Sequence, residues 1–172
     1  MTAIRTEPIA DASVWHGRDL AANRRWEHWL DDRDLQELHD ALQLAKSREL
    51  GVPSTGPEEF PLPGLSGKLA SIGAELKDGR GFALLRGFPV ERYSIDDLEL
   101  MYWGLCSHIG TGLTQNGDAG FIHYVTVGKR RPSQGTRGVG FPTVSRLHVD
   151  LMDIVSLLCV RPAPDDLSLI HI

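Results

Sequence analysis

Positive charge is the first thing this sequence is short of. Against 23 Asp and Glu it sets 18 Lys and Arg, a formal net charge of −5 over 172 residues. A groove for phosphates needs clustered basic side chains, so nucleic acid is not an expected partner. Cysteine is nearly absent as well, with only Cys106 and Cys159. Without a secretory signal, both are expected to be reduced, partly buried thiols that serve packing rather than a disulfide or chemistry. The opening MTAIRTEPIADASVWHG holds no apolar stretch of signal-peptide length, and the longest apolar run, around Ile154 to Val160, is far too short to cross a bilayer. A soluble, cytoplasmic protein with no membrane partner is therefore expected. There is no internal repeat and no low-complexity segment, and nothing in the sequence states an oligomeric state.

What is present suffices for one domain with a real core, since 41% of the residues are hydrophobic. The segment DLQELHDALQLAKSREL puts Leu35, Leu38, Leu42 and Ala45 on one helical face. Asp34 and Glu37 are placed as a cap with its partner three residues on, and Gly51 with Pro53 makes a stop. A Pro-rich connector, VPSTGPEEFPLPG, leads to LSGKLASIGAELKDG, where Leu65, Leu69, Ile72 and Leu76 form a second stripe ending at Gly79. GFALLRGF, residues 81 to 88, is short, apolar and flanked by glycines, which predicts a buried strand. Ser94 and Asp97 cap a third helix carrying Leu98, Met101, Tyr102 and Leu105 and ending near Gly110.

From Gly110 to Phe141 the character changes: eight glycines, one candidate strand, FIHYVTV, and a basic patch of Lys129, Arg130, Arg131 and Arg137. Long glycine-rich loops border binding sites about as often as they are plain solvated surface, and the patch would suit an anionic substrate or simply water. Ser145 to Asp150 and Ile154 to Val160 then read as β segments, the second apolar on both faces as in a strand sandwiched in a core.

Within the first of these, LHVD places His148 and Asp150 two positions apart. On a strand both point to one face, so an imidazole and a carboxylate can reach one cation while Val149 packs behind. Completed by a second His, this is the facial triad that holds iron(II) and leaves positions open for co-substrate and oxygen. Spacing alone does not decide the matter. Seven His and fourteen Asp in this chain give roughly 0.6 chance occurrences of His-x-Asp. A strand-end pair hydrogen-bonded to loop backbone fits the same letters.

The order of three stretches narrows the choice. GRGFALLRGFPVERYS at 79 to 94, YWGLCSHIGTGLTQN at 102 to 116 and RLHVDLMDIVSLLCVRPA at 146 to 163 together resemble the TauD/TfdA (taurine dioxygenase-like) family. The resemblance implies a non-haem iron(II), 2-oxoglutarate-dependent dioxygenase that oxidises a small-molecule substrate. It also implies an α+β fold: a double-stranded β-helix, or jelly roll, preceded by a mostly helical N-terminal part. By it, His148 is the first imidazole ligand and Asp150 the carboxylate ligand. Val149 stands where many members have Thr, and the retained carboxylate implies hydroxylation rather than halogenation. Asn116 matches a recurrent pocket position with no assigned role.

Two elements of that family pattern are missing. The second His ligand and the Arg for 2-oxoglutarate are expected far downstream, yet His16, His28, His39, His108 and His123 all precede the motif and His171 follows it too closely. About five β segments can be counted where a jelly roll needs eight, so the barrel is expected to be incomplete. The tail LSLIHI, residues 167 to 172, equals the translation of CTGTCTCTTATACACATC, a transposon end used in sequencing libraries. It is expected to be non-native, leaving residues 1 to 166 as one domain. Such a chain is expected to have no turnover alone. The rival readings are a non-catalytic β-sandwich binding module with structural His148 and Asp150, and a jelly-roll zinc hydrolase.

Overall fold

The computed structural model describes residues 6–114, 120–124 and 152–162. The chain divides into two units at Thr111 and Gly112. The first is α+β and holds every regular element among the described residues. In order these are α1 (Gly17–Ala22), β1 (Glu27–Trp29), α2 (Asp32–Ser47), α3 (Ser66–Asp78), β2 (Leu84–Arg86) and α4 (Ile95–Ser107).

α2 begins three residues before the expected start. The N-cap is Asp31, whose carboxylate accepts from the backbone N–H groups of Arg33 and Asp34 at 2.9 and 3.0 Å. Asp34 is its reciprocal partner, accepting from Asp31 N–H at 2.9 Å. The sequence offers acids at 31, 32 and 34, and the one whose side chain reaches two orphan amides takes the cap. Glu37, freed from that role, reaches across to the start of α3 and accepts from Gly64 and Leu65 N–H at 2.7 and 2.8 Å. Leu65, the N-cap of α3, has no side-chain oxygen to do this itself, so one helix supplies the anion for the amide end of another.

The apolar stripes meet as their spacing requires. Leu38, Ala41, Leu42 and Ala45 of α2 are buried, as are Leu69 and Ile72 of α3 and Leu98, Met101 and Leu105 of α4. The connector between α2 and α3 does more than join them, since Phe60, Leu62 and Leu65 are also core residues. Phe60 lies against Gly104 of α4 so closely that a Cβ there would stand 2.3 Å from the ring. Trp103 Nε1–H donates to the Thr55 carbonyl at 2.8 Å, and His108 Nε2–H donates to the Phe60 carbonyl at 2.7 Å. α4 thus holds the connector by one aromatic contact and two hydrogen bonds.

β1 and β2 pair in parallel, with Glu27, His28 and Trp29 opposite Leu84, Leu85 and Arg86. Parallel neighbours need a long crossover, here the stretch carrying α2 and α3. β2 lies inside the strand expected at 81–88, but it is three residues long and half-buried rather than buried. It continues into a tight approach: Leu30 N–H donates to the Arg86 carbonyl at 2.9 Å. Gly87 follows at φ +86°, where a side chain would be strained.

Three carboxylates here ionise more readily than usual. The Asp34 amide lowers the pKa of Asp31, with burial opposing and the Arg33 amide assisting. The Lys46 ammonium, 2.6 Å away, lowers that of Asp97, with burial opposing and Ser94 assisting. At Glu75 burial acts to raise the value and is outweighed by the Arg80 amide and guanidinium. Depressed folded values mean that the unfolded chain takes up protons first as pH falls. Their stabilisation is therefore complete above the ordinary carboxylate range of about 4 and is lost as pH drops through the lower, folded values. Thermal melts from neutral pH downward should show the midpoint falling in this acid window, and Asp97→Asn should flatten the fall.

The second unit contributes residues 112–114, 120–124 and 152–162, none of which is helix or strand. This corrects two expectations. FIHYVTV shows no strand over 121–124, its remaining residues lying outside the described ones. The run 154–160, expected to be a strand buried on both faces, is neither: Ile154, Val155 and Leu157 are 45, 52 and 83% exposed. A strand exists only through a hydrogen-bonded neighbour, and a run of apolar letters cannot supply one. Cys159, likewise expected to be partly buried, is exposed, whereas Cys106 is half-buried; both are free thiols.

Candidate functional site

His148 and Asp150 lie outside the described residues, as do Asn116, Lys129, Arg130, Arg131, Arg137 and His171. What can be read is the disposition of the other histidines. His39 Nδ1 shares a 2.9 Å hydrogen bond with the Tyr93 hydroxyl, tying α2 to the loop before α4. His108 is committed through Nε2 to the Phe60 carbonyl. His123 is exposed. His28 Nε2 is buried and has no hydrogen-bond partner among the described residues, a condition shared by Arg86 Nε. The two belong to opposite faces of the sheet, since Arg86 pairs with Trp29 and the neighbouring His28 points the other way. They do not form one site. The sequence places His28 in a mostly helical N-terminal part, ahead of the motif, whereas it lies on β1, a strand too short to show a period of two.

Among the described residues there is no group of three or more His, Cys, Asp or Glu that could hold a metal. A groove of about 380 Å³ lies between the end of α2 and the start of α4, lined by Lys46, Leu50, Gly51, Val52, Asp96, Asp97, Glu99 and Leu100. Its chemistry is poor for catalysis. Lys46 holds Asp97 ionised, so that carboxyl is a weaker proton acceptor near neutral pH than an ordinary one, not a poised acid or base. No helix among the described residues is long and apolar enough to cross a membrane.

Comparison with known proteins speaks to the part that the described geometry leaves open. Residues 46–166 match the model of the taurine catabolism dioxygenase TauD, TfdA family. FR-33289 synthase of Streptomyces rubellomurinus is 28% identical over 166 residues, which is 95% of this chain and 49% of that protein. The taurine hydroxylase-like protein SAT17 of Stachybotrys chartarum is 28% identical over 102 residues, 59% of this chain and 26% of its own. The chain thus spans about half the length of the first relative and about a quarter of the second. The family match covers most of the chain, including the stretches at 79–94, 102–116 and 146–163: this chain belongs to the TauD/TfdA family.

Proposed function

We propose that this chain is part of an iron(II)- and 2-oxoglutarate-dependent dioxygenase that hydroxylates a small organic substrate, with His148 and Asp150 as two of the iron ligands. The observation that carries this reading is the family match across 46–166, which takes in both residues. Their donor set suits the metal: one neutral nitrogen and one anionic oxygen, two positions apart in sequence, which an extended backbone would turn to one side of the ion. The set is one ligand short. His39 and His108 are hydrogen-bonded within the first unit, and this reading takes the third ligand, and the Arg for 2-oxoglutarate, from strands outside residues 1–172. That is the incomplete jelly roll of this reading, with 1–166 as its N-terminal portion. Residues 167–172 lie beyond the family match and are read as a non-native tail.

When bound, iron with 2-oxoglutarate and oxygen supplies the oxidising power for a C–H bond. The chain's own contribution is narrower. His148 must be neutral to offer a lone pair, and Asp150 must be ionised to offset the cation's charge, so metal affinity rises as pH passes the imidazole range. On an extended backbone Val149 would alternate to the other face and leave the pair on one surface.

Succinate release tests the assignment. Purified residues 1–172 with iron(II), ascorbate and 2-oxoglutarate should give none, while a chain extended through its downstream coding sequence should release succinate in step with substrate. Release from the 172-residue chain would overturn the two-ligand reading. Activity of the longer protein that ignores 2-oxoglutarate would favour a zinc hydrolase, and metal-indifferent binding would favour a structural module.

A further inference from the structure

We draw no further inference here: the strongest candidate, the groove between the end of α2 and the start of α4 where Asp96 and Glu99 stand beside the Lys46–Asp97 ion pair, is a cluster of acidic side chains, and among the described residues no buried, unpartnered polar group lines it to point to a ligand.

Discussion

Phe60→Ala should cost the first unit about 3–5 kcal/mol of folding free energy, the range for emptying a buried aromatic site. The side chain is wholly buried. Gly104 offers no atoms that could relax into the space, because α4 is already at closest approach there. Folding margins are commonly about 5–15 kcal/mol, so such a loss takes a large share of the whole. The reverse substitution, Gly104→Ala, forces a methyl into the ring's position and should cost about 1–3 kcal/mol by overpacking. The two sites share one contact, so their effects should not add: Phe60→Leu, which trades the ring for a smaller side chain, should recover part of the Gly104→Ala loss. Urea unfolding followed by helical circular dichroism measures all of these. A Phe60→Ala loss below about 1 kcal/mol would mean that the connector is not part of the core.

The sequence expresses some of this architecture and hides the rest for identifiable reasons. α3 and α4 are legible because apolar spacing and caps agree: Gly79 ends the first, and Ser94 accepts from Asp97 N–H at the start of the second. α2 is legible in its stripe but not at its start, where several acids compete and only the folded geometry picks Asp31 over Asp34. Glu37 looked like a local cap partner and serves another helix, a contact 27 residues away that no local pattern encodes. Phe60 and Leu62 sit in a proline-rich stretch whose composition reads as linker, yet burial is decided by what α4 presents to them. α1 and β1 are too short to leave a period at all. At 154–160 the apolar letters predict burial, whereas Ile154, Val155 and Leu157 are exposed. The candidate iron ligands were found by motif order, and the family match supports that order without testing the ligands themselves.

Loss of either proposed ligand should have the largest effect on metal binding. In a chain that carries the family's remaining strands, His148→Ala and Asp150→Ala should each weaken iron(II) binding by at least about a hundredfold, since removing even an outer-shell partner of a ligand commonly costs 10–100-fold. The two substitutions should differ in character. Asp150→Ala removes charge compensation and a position that resists exchange, while His148→Ala removes the donor whose protonation makes binding pH-dependent, so the residual binding should lose part of its dependence across the imidazole range near 6.5. Val149→Thr places a hydroxyl on the opposite side of the strand and should leave affinity as it was. Anaerobic calorimetric titration of all three at two pH values reads these out. If Val149→Thr weakens binding as much as the flanking substitutions, the pair does not share a face, and the assignment of both ligands fails together.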